Sequence, residues 1–365
     1  MNYCDKIHYR IYTTGLAEFD SMVDDLLRCL PQGEAVLRLV FFGKPADNDE
    51  YVVYRGRLES KVKQFYGTGG EPAVSFVSQP VLNGGLAMEV HSYKVSEGDV
   101  VAYRKRNGYP YAILENMDGR FLFCGGFHGD VQNMDIQLQA IEAFRLAMEI
   151  LDKEGFAIGN IIRQWNYIER ITDFDGVNQH YQMFNNVRSN FYKSADWHTG
   201  YPAATGIGTD LGGVLVDMDA AVFHHPECFA SAIDNKLQVA AHAYSDEVLE
   251  VAQERKSTPK FERAKSVTFN DRQLIYISGT AAIRGEKSMT GVDIERQFHI
   301  TMENIEQLIS GAQLNMLRVY LKHPSDYGVV VDLLKKAGLS IPISYLRADV
   351  CREELLIEIE GIASK

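Results

Sequence analysis

The sequence predicts an α+β fold made of two sheet-and-helix sandwich units in tandem. Three observations carry that prediction. The chain of 365 residues is too long for one small core, and the usual domain size calls for two or three. Two stretches share one plan: RFLFCGGFHGDVQNMDIQLQAIEAFRLAMEIL, from Arg120, and RQLIYISGTAAIRGEKSMTGVDIERQFHITMENIEQLI, from Arg272. Alternating apolar runs flank both, as strands of a half-covered sheet should.

In each stretch an apolar strand ends at a small residue and glycine, Cys124-Gly125 or Ser278-Gly279. A loop then leads to an Asp-Ile-x-x-Gln helix start, Asp135 to Gln139 or Asp293 to Gln297. Ile136, Phe144, Met148 and Leu151 share one helix face, as do Ile294, Phe298, Ile305 and Leu308. IGNIIRQWNYI and LNMLRVYLKH are the next strands, and GGVLVDMDAAV and ELLIEIEGIA close the two units. Asp217 and Asp219 thereby take the places of Glu358 and Glu360.

Residues 1–119 contain further strand-like runs, AVLRLVFFG, AVSFVSQPV and LAMEVHSYKV, with turns at Gly69-Gly70 and Gly84-Gly85. They are expected to elaborate the front of the first unit. The division is 1–228 for an elaborated N-terminal domain, 229–258 for a helical connector and 259–365 for a C-terminal domain bearing the closing strand CREELLIEIEG. Each sheet is expected to be covered on one face.

Composition narrows the function. With 46% hydrophobic and 24% charged residues and no apolar run near ~20 residues, the chain reads as an ordinary globular protein rather than a membrane span. MNYCDKIHYRIYTT lacks the apolar centre of a secretory signal, and five scattered cysteines fit a reducing cytoplasm. A net charge of -12 without basic runs argues against nucleic-acid or anionic-membrane partners. His224, His225, Cys228 and His242 match no standard zinc spacing, so no metal is expected. No GxGxxG or P-loop pattern marks a nucleotide.

The candidate site starts from Glu358. A period-2 strand would by itself turn Glu358 and Glu360 towards water; burial would instead make Glu358 an acid of raised pKa. Arg347, Arg188, Arg170 and Arg263 are candidate partners for a carboxylate, each alternatively a surface ion pair. Tyr167, Tyr181 and Tyr201 are read either as pocket residues or as core aromatics with one wet end. Thr205 and Thr280 could donate to a carboxylate, and Gly206 and Gly279 mark close backbone approach.

These residues also carry a resemblance. The second unit, from ISGTAAIRGEKS through Gln297 and Asn304 to EIEGIA, resembles the RidA/YjgF-like (chorismate mutase-like) superfamily. The whole chain resembles the chorismatase family, two such domains fused, through RQWNYIERI, HYQMFNNVR, YPAATGIGT, FERA, ISGTAAIRG and CREELLIEIEG. The resemblance implies cleavage of the enolpyruvyl ether of the dianion chorismate, with pyruvate as one product and a hydroxybenzoate, 3-hydroxybenzoate favoured, or a dihydroxycyclohexadiene carboxylate as the other. It assigns Glu358 as the acid that protonates the enolpyruvyl methylene and Arg347 as the carboxylate-binding arginine. The resemblance implies that Cys351 and Ala264 steer the outcome and point to different branches, Cys351 to the 3-hydroxybenzoate-forming one and Ala264 to the dihydrodiol-forming one; Glu360 keeps its solvated or locally paired reading, and no cofactor is implied.

Glu169 and Thr172 depart from the family's usual Pro and Asn, and Val187 from its usual Gly; these positions bear on substrate and product. An imine or enamine hydrolase using Arg347 and Glu358, and a non-catalytic binding or assembly protein, are the competing readings. A monomer with its cleft at the domain junction is expected, with one working site because the first unit's closing strand lacks a matching arginine.

Overall fold

The computed structural model describes residues 2–245 and 257–365, and in it the expected unit occurs three times. The first comprises α1 (Tyr3–Lys6), β1 (Ile7–Thr13), α2 (Phe19–Arg28), β2 (Ala35–Gly43), α3 (Asn48–Tyr66), β3 (Ala73–Ser78) and β4 (Ala87–Tyr93). Its sheet order is β1-β4-β2-β3. The second comprises β5 (Val100–Arg106), β6 (Tyr109–Glu115), β7 (Gly119–His128), α4 (Ile136–Glu154), β8 (Ile161–Glu169), the small hairpin β9 (Phe174–Asp175) and β10 (Asn178–Gln179), α5 (His180–Tyr192), β11 (Ala203–Thr209) and β12 (Val214–Phe223). Its order is β11-β8-β12-β7-β6-β5.

The third comprises β13 (Cys228–Ile233), β14 (Ala264–Phe269), β15 (Arg272–Ala281), the hairpin β16 (Ile283–Arg284) and β17 (Lys287–Ser288), α6 (Ile294–Ile309), β18 (Gln313–Leu321), α7 (Tyr327–Lys336), β19 (Ile343–Arg347) and β20 (Ile357–Ser364). Its order is β13-β14-β15-β20-β18-β19. Each unit thus lays its first, last, second and third core strands side by side in that order. The two repeated units read from the sequence are present, and Ile7 to Tyr93 adds a sheet of its own rather than extending the second.

The repeated Asp-Ile-x-x-Gln signature has a physical reason. Asp135 and Asp293 are N-caps, accepting from Leu138 N at 2.7 Å and Arg296 N at 2.9 Å, which satisfies amides that a helix start leaves unpaired. Four residues on, Gln139 and Gln297 are buried and accept from Val214 N at 3.0 Å and Leu356 N at 2.9 Å. Each glutamine therefore ties its helix to the entry of the closing strand.

The connector departs from expectation. Cys228–Ile233 is an edge strand paired antiparallel with β14, not the start of a helix. Cys228 and Ala230 are buried while Phe229 is exposed, a period of two that suits a strand capping an open sheet edge. Ala241–Ala243 is a single 3-10 turn, and the stretch 246–256 lies outside the described residues.

Helices cover the outer face of every sheet, but the inner faces are not left to water. They converge on a shared core to which Leu37 and Tyr93, Phe121, Phe123 and Ile162, and Tyr276, Met316 and Ile362 contribute from the three units. The expectation of a sheet covered on one face is corrected: β3, β4 and β11 are buried almost throughout, because three sheets enclose one interior. No described helix is long and apolar enough to cross a membrane.

At the centre of that interior sits a cyclic set of ion pairs. Arg38 on β2 reaches Asp219 on β12 at 2.6 Å, Arg163 on β8 pairs with Glu360 on β20, and Arg318 on β18 grips Glu89 on β4 through two contacts of 2.6 and 2.7 Å. Each unit's second strand thus supplies the cation for the next unit's closing strand. Trp165 lies among the three, with guanidinium carbons 4.6 to 5.3 Å from its ring. Burial raises the cost of charging Glu89, yet the Arg318 guanidinium and its hydrogen bonds outweigh it and hold that carboxyl well below the usual range.

Candidate active site

The cleft forms where the second and third units abut. Ala203 bridges to Glu262, Glu262 N donates to Pro202 O at 3.0 Å, and Ala204 N donates to Ser278 Oγ at 2.9 Å. Here the pairing of β15 with β20 slips between Ile277 and Thr280, a bulge that takes Ser278 and Gly279 out of the ladder. The freed Gly279 amide donates to Thr205 Oγ1 at 3.0 Å.

The cleft is lined by Tyr181, Gln182 and Asn185 from α5 and by Gly279 and Ala281 from β15. Tyr244, Phe261, Arg263, Cys351, Arg352 and Glu358 complete its chemistry. Glu358 is 4% exposed, and its carboxyl has no hydrogen-bond partner among the described residues. Ile357 and Ile359 pack under the helices, so alternation turns Glu358 and Glu360 into the interior between sheets. Burial, reinforced by the charge of Glu360, pushes the Glu358 carboxyl up to about 8. Any Cβ on residue 279 would strike its Oε1, so only glycine leaves the carboxyl where it is.

Glu360 corrects the solvated reading. It is 2% exposed and accepts from Trp165 Nε1 at 3.1 Å and Tyr320 OH at 3.0 Å, besides Arg163 and Thr205. Two glutamates on one strand face thus differ: one is fully paired, the other has only solvent or a ligand to meet.

The cations are distributed differently from the expectation. Arg347 does not line the cleft; it is paired with Asp210, and Asp349 lies 3.9 Å from it. Arg170 is exposed on a turn at φ 46°. Arg188 is buried beside the cleft, donating to Asn185 Oδ1 at 2.5 Å. Arg263 does line it, anchored on Val239 O at 3.0 Å and on the Tyr244 hydroxyl. Arg352, which sequence reasoning missed, joins it, held by Glu286 O at 2.9 Å and Ser288 Oγ at 3.0 Å. Neither Arg263 nor Arg352 has a carboxylate partner among the described residues. The signal for Arg352 was present in CREE, next to Cys351.

Tyr181 and Gly206 line the cleft, the glycine allowing the Tyr181 ring to close over it. Tyr167 is a core residue whose hydroxyl accepts from Arg318 at 2.7 Å, and Tyr201 packs against Tyr192 and Trp197 outside the cleft. Thr205 lies beneath the floor, and Thr280 turns its hydroxyl to Ser278 O at 2.8 Å. Ala264, the first residue of β14, faces the helix-covered core and not the cleft. The Cys351 thiol is in the cleft, pushed up to about 12 by burial and by neighbouring Glu358, so it is a neutral lining group rather than a thiolate.

The three departures lie away from the cleft. Glu169 accepts from Gly213 N at 2.8 Å and Asn48 Nδ2 at 3.2 Å, joining the first two units. Val187 packs in the core under the second sheet, and Thr172 is part of a surface turn. At the equivalent position of the second unit's closing strand, Asp217 accepts from Ser75 Oγ at 2.6 Å and Gly126 N at 2.7 Å, with Arg38 at 3.5 Å. Among the described residues no group of three or more His, Cys, Asp or Glu could hold a metal ion.

One cleft thus holds a buried carboxyl of raised pKa together with two guanidinium groups that have no carboxylate partner among the described residues. Residues 100–220 match the family described as chorismatase FkbO/Hyg5-like, N-terminal. A 3-hydroxybenzoate synthase of Streptomyces hygroscopicus is 28% identical over 284 residues, 71% of this chain and 77% of the relative. A chorismatase of Streptomyces rapamycinicus is 26% identical over 226 residues, 56% of this chain and 64% of its own. A chorismatase crystal structure shares the fold, with a TM-score of 0.69 at 20% identity over 98% of both chains. The chain is thus a relative of the chorismatases.

Proposed function

We propose that this protein cleaves the enolpyruvyl ether of chorismate, releasing pyruvate. The observation that carries this reading is Glu358, a buried carboxyl without a hydrogen-bond partner among the described residues, whose raised pKa leaves it protonated near neutrality. Protonating an enol-ether carbon is slow in water and needs a positioned acid. Glu358 gives its proton to the methylene, and the ether oxygen shares the resulting positive charge as an oxocarbenium ion. Attack by water or by the ring hydroxyl precedes departure of pyruvate, and the carboxylate left on Glu358 recovers a proton. Arg263 and Arg352 are the cations offered to the substrate's two carboxylates, in place of Arg347.

The ring product is read as 3-hydroxybenzoate. Its atoms together with those of pyruvic acid equal those of chorismic acid, so this branch consumes no net water, whereas the dihydroxycyclohexadiene carboxylate incorporates one. Cys351 in the cleft wall supports the aromatic branch, while Ala264, facing away, does not contact the ring. The purified protein given chorismate should release one pyruvate per chorismate consumed, measured by reduction with lactate dehydrogenase, and chromatography should identify 3-hydroxybenzoate. Absence of pyruvate above the spontaneous rate would overturn the function; ammonia from 2-iminobutyrate without action on chorismate would instead favour the imine hydrolase.

Gly279 supplies a test of the geometry. Gly279→Ala should lower kcat/KM for chorismate at least about tenfold, since a misplaced catalytic group costs one to two orders of magnitude. Gly206→Ala, whose new methyl would sit 3.1 Å from a Tyr181 ring carbon, should cost less because that ring can move. Equal activity of Gly279→Ala and the parent would show that Glu358 does not need this position.

A further inference from the structure

Tyr244 is the feature of the cleft that the reaction does not itself require. Its ring centroid lies 5.3 Å from the guanidinium carbon of Arg263 and 5.3 Å from that of Arg352. Its hydroxyl bonds Arg263, and the residue is buried. The next residue, Ser245, donates to Glu286 through its amide at 2.9 Å and its hydroxyl at 2.7 Å. The carbonyl of that same Glu286 holds Arg352. One aromatic ring therefore links two cations that come from opposite ends of the third unit, at positions 263 and 352, and that would otherwise repel each other.

We propose that Tyr244 is a positioning residue that makes the cleft selective for dianions, by fixing the Arg263 and Arg352 guanidinium groups relative to one another. The inference rests on the reading of the cleft as a site for a dicarboxylate. An aromatic face attracts each cation and compensates part of their mutual repulsion before a ligand arrives, so a dianion meets a pre-organised pair. A monoanion uses one guanidinium and gains nothing from the second.

The test uses the full chain and unreactive probes, so that it does not depend on turnover: calorimetric binding of 3-(carboxymethoxy)benzoate, a dianion, and of 3-methoxybenzoate, a monoanion. Tyr244→Leu should weaken the dianion at least about tenfold while changing the monoanion less than threefold. Tyr244→Phe, which keeps the ring but loses the hydroxyl, should fall between Tyr244→Leu and the parent. Equal weakening of both probes by Tyr244→Leu would reduce Tyr244 to general packing, and unchanged affinities would remove it from the site. If the parent binds the dianion selectively but releases no pyruvate from chorismate, the reaction assigned above fails while this inference stands.

Discussion

Glu358→Gln should lower kcat on chorismate by about two to four orders of magnitude, the usual worth of a positioned general acid, while the protein remains folded. The amide occupies nearly the same volume, and the acid it replaces has no hydrogen-bond partner among the described residues to lose. In the parent, kcat/KM should be flat below about pH 8 and fall as Glu358 ionises above it. Stability should show the same group from the other side. Because the folded-state pKa is raised above the ordinary value of 4.5, the folded state holds a proton that the unfolded chain releases. The parent's stability relative to Glu358→Gln is then greatest below about 4.5, declines as pH rises, and levels off above about 8. Thermal melts of both proteins between pH 5 and 9 would read this. A variant with parental activity would end the carbon-acid assignment, and parallel melting curves would show that Glu358 is ionised throughout.

The second large effect concerns the ring of arginines. Arg318→Met removes the cation that neutralises buried Glu89 and contacts Glu360 at 3.0 Å. Removing one partner of a buried ion pair leaves a charge with neither water nor counterion, at a cost of ~3–5 kcal/mol, so the denaturation midpoint should drop sharply. Arg318→Met combined with Glu89→Leu should recover most of the loss, because the pair itself contributes little beyond what apolar packing would. A single variant within about 1 kcal/mol of the parent would show that water reaches the ring, contrary to its complete burial in the fold. The ring also reaches the site: it holds Glu360, through Arg163 and with Thr205 beside it, two residues beyond Glu358 on the same face of β20, and the charge of Glu360 helps to raise the Glu358 carboxyl.

Much of the second and third units was legible in the chain because their helix starts do the same mechanical work twice. Asp caps the helix and Gln, four residues later, ties it to the closing strand, so both types recur. The first unit carries the same sheet order but has Tyr51 four residues after its cap Asp47, and Tyr51 makes its tie to Phe76 O at 3.0 Å instead. With a different residue making a different contact, to β3 and not to the closing strand, the repeat was invisible to pattern. Cys228–Ile233 was misread for a related reason: small residues such as Ala230 and Ala232 fit strand and helix alike, and the open edge of β14 decided between them.

The site divides in the same way. That Glu358 stands on a closing strand with Cys351 and Arg352 just before it was determined by the order of residues alone, as was the pairing of Arg263 with the FERA turn. Local pattern could not tell Glu358 from Glu360, since both lie on the same face of one strand. Only the meeting of three sheets set them apart. Arg163, Trp165, Thr205 and Tyr320, drawn from distant segments, satisfy Glu360, while Glu358 is left facing a cleft whose cations are held by backbone carbonyls, a serine and one tyrosine. A carboxyl's pKa depends on what surrounds it within a few ångströms, and those surroundings are assembled by contacts more than a hundred residues apart in the chain.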